Sequence, residues 1–267
     1  MFALVNKVIF FGKEFLINPE AFKIGDKPVY WYGIIIAAGF CLAILYGYME
    51  AKRTGFDTDR IANVVLIAAP VGIVGARFYY VIFNWGQYNG NFLEMIAIWE
   101  GGLAIYGGLI AATIAGLVYC KVAKINFFEL ADIAVGGFFI GQSIGRWGNF
   151  VNSEAYGSVT DLPWKMGVME RGQMIFVHPT FLYESLWNAL GFLIMFIGRK
   201  KKQYHGQLFY FYITWYGMGR VWIEGLRTDS LMIGPLRVSQ IVAVMCIVAG
   251  AIMLILNRNR KNYIDTL

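Results

Sequence analysis

The chain contains an apolar stretch, Phe127–Ile144 (FFELADIAVGGFFIGQSI), that runs directly into a more polar one, Gly145–Asn152 (GRWGNFVN). The first stretch is long enough to cross a bilayer, which takes about 20 mostly apolar residues. Arg146 stands at its end, where a guanidinium group is costly unless it holds an anion, so it is a functional-site candidate. Two amide side chains, Asn149 and Asn152, follow it. The pattern predicts a membrane helix that carries a polar cluster suited to a lipid headgroup.

The composition of the whole chain supports a membrane protein. Of its 267 residues, 58% are hydrophobic and only 15% are charged, whereas soluble domains carry about 25% charged residues. This excludes an ordinary soluble globular protein and favours an all-α polytopic membrane protein with one integral domain, 1–267. Its cysteines are Cys41, Cys120 and Cys246. They lie far apart in apolar segments, so neither a disulfide framework nor a metal site is expected.

Seven segments are apolar and long enough to predict transmembrane helices. They are Val29–Met49, Ile61–Phe83, Gly101–Tyr119, Phe127–Ile144, Phe181–Ile197, Gln207–Ile223 and Leu236–Leu256. Residues 1–28 mix lysines with phenylalanines such as Phe2, so we expect an amphipathic segment along the outer interface and no removable signal peptide. Residues 147–180 are too many for a simple turn, and they predict a small periplasmic lobe between the fourth and fifth helices.

The distribution of lysine and arginine predicts the orientation of the chain. The loops after the first, third and fifth spans, together with the C-terminal tail, are strongly basic. Their basic residues are Lys52, Arg53, Arg60, Lys121, Lys124, Arg199, Lys200, Lys201, Lys202, Arg258, Arg260 and Lys261. The opposite loops hold only Lys165, Arg171 and Arg227, although lysines in residues 1–28 oppose the pattern. We therefore place the C-terminus in the cytoplasm and the N-terminus in the periplasm.

With this orientation, polar side chains from several spans fall at one level near the outer face. They are Arg77, Tyr106, Arg146, His178, Glu184, Arg220 and Glu224. Isolated snorkelling residues would scatter over both interfaces, so we predict that the seven helices surround a shared cavity in the outer half. Tyr106 is expected about one and a half turns below the outer face.

Several of these residues have structural alternatives. Four polar residues of the sixth span share one helix face: Tyr216, Arg220, Glu224 and Arg227. They form either an ion-pair ladder or a surface from which Arg220 points across the cavity. Arg77 either binds a ligand or holds two helices together through a glutamate or backbone carbonyls. His178 is equally a hydrogen-bonded residue of the lobe, and Tyr32 is equally an aromatic anchor at the interface.

Small residues recur every four positions in two spans. They are Gly137, Gly141 and Gly145 in the fourth span, and Gly108, Ala112 and Gly116 in the third. Such stripes predict close helix packing, which would hold Arg146 and Tyr106 rigidly. The pair Gly107-Gly108 would also leave backbone accessible to a ligand.

Together these residues resemble the prolipoprotein diacylglyceryl transferases, a family of bacterial inner-membrane enzymes. The most specific match is Gly-Arg-Trp-Gly-Asn-Phe-Val-Asn-Ser-Glu, residues 145–154. Weaker matches follow the expected order along residues 31–227. They are Trp31-Tyr32-Gly33, Gly101-Gly102-Leu103, Tyr106-Gly107-Gly108, His178-Pro179-Thr180, Tyr183-Glu184, Arg220-Val221-Trp222-Ile223-Glu224 and Arg227.

The resemblance implies a reaction as well as a topology. The diacylglyceryl group of phosphatidylglycerol would move to the lipobox cysteine thiol of a preprolipoprotein, which forms a thioether and releases glycerol phosphate. This is the first step of bacterial lipoprotein maturation. The site would face the periplasm and open to membrane lipid. We expect no cofactor, metal or nucleic-acid partner, and a monomeric enzyme.

The resemblance also suggests roles for individual residues. Arg146 and Arg220 would bind the phosphate and the leaving group, because guanidinium groups match phosphate oxygens bidentately. Glu224 would orient Arg220, and Tyr106 would contact the phosphate or the thiolate. The expected substrate-binding residues are Arg146, Asn149, Asn152, Glu154, Tyr32, Gly107, Gly108, Arg77 and His178.

One position departs from some members of the family. The residue before Gly107-Gly108 can be a histidine there, a candidate base for the thiol, but here it is Tyr106. Neutral tyrosine, with a reference pKa of about 10, is a poor base at neutral pH. Either Glu154, Glu224 or His178 takes the proton, or the field of the arginines lowers the pKa of the thiol sufficiently.

Two other functions remain open on the sequence alone. A transporter or channel would need a continuous polar path or broken helices near the midplane. The inner halves of the spans look almost free of ionisable groups, which argues against a conduit. A lipid-binding protein without chemistry would not need the clustered Arg146, Arg220 and Glu224, although it could use them.

Overall fold

The computed structural model describes residues 6–88 and 90–259, with Glu100 described by its backbone alone. Its α-helices are α1 Trp31–Thr54, α2 Thr58–Phe83, α3 Phe92–Ile96, α4 Ile105–Ala123, α5 Phe127–Asn152, α6 Thr180–Gly198, α7 Gln207–Leu226 and α8 Val238–Asn257. Its strands are β1 Asn6–Phe10, β2 Lys13–Ile17, β3 Glu20–Ile24, β4 Lys27–Tyr30, β5 Met166–Glu170, β6 Gln173–Val177, β7 Met232–Ile233 and β8 Leu236–Arg237. Arg260, Lys261 and Phe2, used in the sequence predictions, lie outside the described residues.

The helices confirm a polytopic, mainly α-helical membrane protein. Among the described residues, seven helices have 19 or more residues, and they lie at the seven predicted positions. Six of them, all except α7, are long and apolar enough to span a membrane. Helix α7 has 20 residues but carries Arg220 and Glu224 among several tyrosines and tryptophans. A count of seven spans therefore stays a prediction.

The N-terminal segment, predicted as an amphipathic piece along the outer interface, forms strands in its described part, and its place at the interface stays a prediction. Its described part forms two β-hairpins, β1–β2 and β3–β4. Strand β1 also pairs with β5, which makes a four-stranded sheet in the order β2-β1-β5-β6. Val8 and Phe10 stand two residues apart, and both are buried in the core of the sheet. A spacing of two residues is the period of a strand, and the prediction missed this signal. The N-terminal segment and the predicted lobe thus share one sheet.

Two of the helix boundaries that differ from the predicted ones bear on the site. Helix α5 continues past Ile144 to Asn152, so the polar stretch is helical and the lobe begins after it. Helix α4 begins at Ile105 rather than at Gly101. Gly101 and Gly102 have φ angles of 90° and 69°, which a right-handed helix cannot include. Tyr106 therefore lies in the first turn of α4, not one and a half turns into the helix.

The chain divides into two compact units, residues 1–46 with 131–267 and residues 47–130. The unit of residues 47–130 depends on close packing between α2 and α4. A Cβ atom added to Gly75 would lie 2.8 Å from the carbonyl oxygen of Gly107, and closer still to the Cβ of Ala111. One added to Gly108 would lie 3.2 Å from the carbonyl oxygen of Gly72. Glycine on both helices therefore lets their backbones approach, as the small-residue stripe predicted for α4.

In the other unit, glycines of α5 lie against α1. A Cβ atom on Gly137 would lie 3.0 Å from the carbonyl oxygen of Ala43, and one on Gly145 would lie 3.2 Å from Ile36. Gly141 has open space at its own Cβ position. The stripe on α5 is thus partly a packing surface, and Gly145 fixes the backbone directly before Arg146.

A buried carboxylate anchors the start of α7. Asp132 on α5 is 1% exposed, and its oxygens accept hydrogen bonds from the backbone N–H groups of Gly206 at 2.7 Å and Phe209 at 2.9 Å. It also pairs with Lys202 at 3.2 Å. These N–H groups would otherwise lack partners at a helix N-terminus. We had expected the inner halves of the spans to be almost free of ionisable groups, and Asp132 is an exception. Its contacts are those of a structural anchor.

The glycine contact between α2 and α4 gives a stability prediction. Gly75→Ala should lower the free energy of unfolding by about 1–3 kcal/mol, because the added methyl group overpacks the contact. Gly116→Ala on α4 is the matched control, since nothing lies within 4 Å of its Cβ position. Thermal unfolding of both variants in detergent measures the difference. Equal midpoints for the two variants would contradict the close contact.

Candidate functional site

Three helices bring two arginines onto one carboxylate. Arg146 comes from the last two turns of α5, Glu184 from the second turn of α6, and Arg220 from the last two turns of α7. Nη2 of Arg146 lies 2.5 Å from Oε1 of Glu184, and Nη1 of Arg220 lies 3.3 Å from its Oε2. The structure thus brings together Arg146 and Arg220, as the sequence predicted. It joins them through Glu184, which was not among the predicted catalytic or binding residues.

Glu224 completes the cluster from α7. Its Oε2 lies 2.6 Å from Nη2 of Arg220, one helical turn away. The backbone carbonyl of Glu224 accepts a hydrogen bond from Arg237, which also donates to the carbonyl of Arg227 at 2.9 Å. Glu224 thus pairs directly with Arg220, and its orienting role in catalysis stays a prediction. We call Arg146, Glu184, Arg220 and Glu224 the arginine–glutamate cluster.

The cluster is formally neutral, and its exposure is uneven. The side chains of Glu184 and Glu224 are 6% and 2% exposed, whereas those of Arg146 and Arg220 are 24% and 14% exposed. The guanidinium groups are thus the more accessible part. In a site with little water, fixed guanidinium donors stabilise an anion far more strongly than they would in bulk water. The arrangement is suited to binding a phosphate.

A chain of amides continues from Arg146 to the end of α5. Its Nη1 lies 3.2 Å from Oδ1 of Asn149, and the amide of Asn149 donates to Oε1 of Glu154 at 3.0 Å. Asn152 donates to the same oxygen at 3.4 Å. Tyr32 lies beside Gly148, where an added Cβ atom would meet its ring at 2.7 Å. These predicted binding residues therefore surround Arg146, and their contact with substrate stays a prediction.

Four further predicted site residues fall in the unit of residues 47–130: Arg77, Tyr106, Gly107 and Gly108. Arg77 donates to the backbone carbonyls of Met95, Glu94, Gly101 and Gly102 at 2.6–3.1 Å. These contacts match the structural alternative, in which Arg77 holds the segment before α4. That Arg77 also binds substrate stays a prediction.

The pair after Tyr106 also has a structural use. Gly107 packs on Gly75 and Tyr79, and Gly108 packs on Gly72. This close packing accounts for both glycines without a ligand. That Tyr106, Gly107 or Gly108 contacts substrate stays a prediction.

His178 is linked to α6 rather than to an arginine. Its Nδ1 lies 3.3 Å from the hydroxyl oxygen of Tyr183, and the same oxygen accepts a hydrogen bond from Nε1 of Trp164 at 2.7 Å. Burial lowers the pKa of His178. Its backbone N–H donates to Ser158. These contacts describe a histidine of the lobe, the alternative that the sequence had left open.

Glu184 is the functional residue that the sequence analysis undervalued. It had been placed at the outer start of the fifth span, but only as one member of a polar level. The available signal was a glutamate inside an apolar helix, a position where a carboxylate needs a partner. Arg146, for which the sequence offered no carboxylate partner, could have supplied it.

Comparisons with known proteins agree with this geometry. Residues 19–256 match the family model described as prolipoprotein diacylglyceryl transferase. Proteins named phosphatidylglycerol–prolipoprotein diacylglyceryl transferase are similar over most of the chain. One from Clostridioides difficile (strain 630) is 46% identical over 246 residues, which covers 92% of this chain and 98% of that protein. One from Listeria welshimeri is 43% identical over 254 residues, covering 92% of each. One from Streptococcus pyogenes is 45% identical over 252 residues, covering 92% and 97%.

The contacts of His178 predict its protonation state. Trp164 can only donate to the Tyr183 hydroxyl, and this leaves the proton of that hydroxyl free to go to Nδ1 of His178. We therefore expect the imidazole to be the neutral Nε2–H tautomer. With its pKa lowered, His178 should stay neutral below the ordinary histidine value of about 6.5. Because the unfolded chain protonates first as the pH falls, this residue should reduce stability below that value.

Nitrogen-15 NMR of histidine-labelled protein measures both the pKa and the tautomer of His178. The chain has two histidines, and His205→Gln removes the second signal. Tyr183→Phe should move the pKa of His178 and its tautomer populations. A protonated His178 at pH 7, or the Nδ1–H tautomer, would contradict the assignment.

Proposed function

The chain belongs to the prolipoprotein diacylglyceryl transferase family, and we propose that it transfers the diacylglyceryl group of phosphatidylglycerol to a prolipoprotein cysteine. The product is a thioether, and glycerol phosphate leaves. This is the first step of lipoprotein maturation. The single observation that carries the proposal in the structure is the convergence of Arg146 and Arg220 on one carboxylate.

The chemistry of the cluster fits this reaction. The thiolate form of cysteine is the nucleophile, and it attacks a carbon whose leaving group is a phosphodiester that becomes a monoester. Negative charge therefore grows on the phosphate in the transition state. Guanidinium groups stay protonated and match phosphate oxygens in pairs. Arg146 and Arg220 bind the phosphate in this proposal, and Glu224 holds Arg220 in position.

The membrane placement is part of the same proposal. The chain lies in the cytoplasmic (inner) membrane of a bacterium, with its N-terminus and cluster on the periplasmic side and its C-terminus in the cytoplasm. The basic loops around Arg53, Lys121 and Lys200 support this orientation. One chain supplies all four side chains of the cluster, which supports a monomeric enzyme.

A transfer assay tests the proposal directly. Purified protein with phosphatidylglycerol and a peptide that contains a lipobox cysteine should yield the diacylglyceryl adduct and glycerol phosphate, both measured by mass spectrometry. The same peptide with serine at that position should remain unmodified, because its hydroxyl is a much weaker nucleophile. Folded protein that forms no adduct but passes anions across liposomes would overturn the enzyme in favour of a transporter.

Replacing Arg146 tests the role of the guanidinium group. Arg146→Lys keeps the charge but removes the planar pair of donors, so kcat/KM should fall by about 100-fold or more, as for other lost transition-state donors. Arg171→Lys, in the exposed turn between β5 and β6, is the matched control and should leave kcat/KM unchanged. Wild-type turnover by Arg146→Lys would exclude bidentate phosphate binding.

Replacing Tyr106 tests the residue that stands where some relatives have histidine. Tyr106→Phe removes only the hydroxyl group. If that hydroxyl contacts the phosphate or the thiolate, kcat/KM should fall by about tenfold, the equivalent of about 1.4 kcal/mol for one hydrogen bond. The transfer assay compares it with Tyr79→Phe in the same unit. Equal turnover by the two variants would remove the Tyr106 hydroxyl from the mechanism.

A further inference from the structure

Glu184 occupies the place that an incoming phosphate needs. Its two oxygens lie 2.5 Å from Arg146 and 3.3 Å from Arg220, the same guanidinium groups that bind phosphate in the proposed function. The arginines are also the more accessible members of the cluster. A phosphate that reaches them must therefore compete with Glu184 for their N–H donors.

The binding of a phosphate also changes the net charge of the cluster. Two guanidinium groups and two carboxylates give a formally neutral cluster before substrate binds. A phosphodiester adds one negative charge in a region where an unpaired charge is costly. The reaction increases that charge, since the leaving phosphate becomes a monoester. The acceptor thiol must also lose a proton before it attacks. Moving this proton onto a carboxylate of the cluster would deprotonate the thiol and would also offset the added negative charge.

Among the carboxylates near the arginines, Glu184 is best placed to take the proton. Among the described ion pairs, the Glu224 carboxylate pairs with Arg220 and not with Arg146, and its side chain is the more deeply buried of the two. Glu154 is exposed and accepts from the amides of Asn149 and Asn152 instead. Glu184 contacts both arginines, so a phosphate that takes over their donors leaves this carboxylate without its cationic partners and able to accept a proton.

We propose that Glu184 is the general base of the reaction, displaced from the arginines by the substrate phosphate and then protonated by the acceptor thiol. This inference rests on the proposed function. The S–H bond breaks and its proton goes to a carboxylate oxygen of Glu184, while the sulfur electron pair forms the C–S bond to the glyceryl carbon. The C–O bond to the phosphate breaks, and its electron pair stays on the oxygen of the departing glycerol phosphate. Glu184 then gives its proton to that phosphate monoester and returns to the arginines.

The test replaces the base and then removes the need for one. Glu184→Gln keeps the size of the side chain but cannot take the proton, so kcat with a cysteine peptide should fall by about 10²–10⁴-fold. KM for phosphatidylglycerol should not rise, because the competing carboxylate is gone. A peptide with selenocysteine at the acceptor position has a selenol that is already ionised at neutral pH. With it, Glu184→Gln should turn over within about tenfold of the wild type on the same peptide.

Controls separate this inference from the proposed function. Glu170→Gln, on an exposed position of β5, should match the wild type with both peptides. Loss of turnover by Glu184→Gln with both peptides would show that Glu184 only positions the arginines, and wild-type turnover with the cysteine peptide would exclude it as a base. Wild-type protein inactive with both peptides would instead overturn the proposed function. If Glu184→Gln does not fold, comparison of Glu184→Asp with Glu184→Asn asks the same question.

Discussion

One carboxylate shared by two guanidinium groups is the interaction on which the site depends. Glu184 comes from the first turns of α6, and its partners come from the last turns of α5 and α7. In the part of the chain that the structure describes, no contact joins Arg146 directly to Arg220. Each pairs with Glu184 instead, so Glu184 sets their separation. Because Glu184 is nearly buried, its position depends in turn on how the three helices pack.

That packing is specified by polar contacts as well as by apolar ones. Ser143 of α5 and Ser185 of α6 each donate to the other's backbone carbonyl, at 2.9 and 2.8 Å. Trp187 of α6 and Trp215 of α7 do the same through their indole N–H groups, both at 2.9 Å. If one helix slid by a turn, both side chains would lose their hydrogen-bond partners in an apolar environment, which is costly. The reciprocal bonds therefore fix the register of the helices. Asp132 adds a third constraint at the start of α7.

The sequence predicted the helices and the two arginines because their signals are local. A run of apolar residues defines a span, and an arginine at its end needs an anion. The N-terminal strands were missed, because the partner of β1 is β5, more than 150 residues away. For Arg77 the sequence left a ligand and a structural partner open, and the fold shows that its acceptors are backbone carbonyls of the segment before α4. Glu184 was visible as a buried charge, but only the fold shows that it serves two arginines at once.

The polarity of the helices has the same sign as this distribution of charge, although Arg146, Glu184 and Arg220 stand more than one turn from their helix ends, where the effect is small. Aligned peptide dipoles give a helix a partial negative charge at its C-terminus and a partial positive charge at its N-terminus. Arg146 and Arg220 lie near the C-terminal ends of α5 and α7, whereas Glu184 lies near the N-terminal end of α6. Glu224 is the exception, because it lies at a C-terminal end. There Arg220 pairs with its carboxylate and Arg237 satisfies the last carbonyls of α7. In the proposed reaction, a phosphate that binds the two arginines approaches the N-terminal side of α6 as Glu184 does, and the dipole of that helix has the sign that favours a negative charge there.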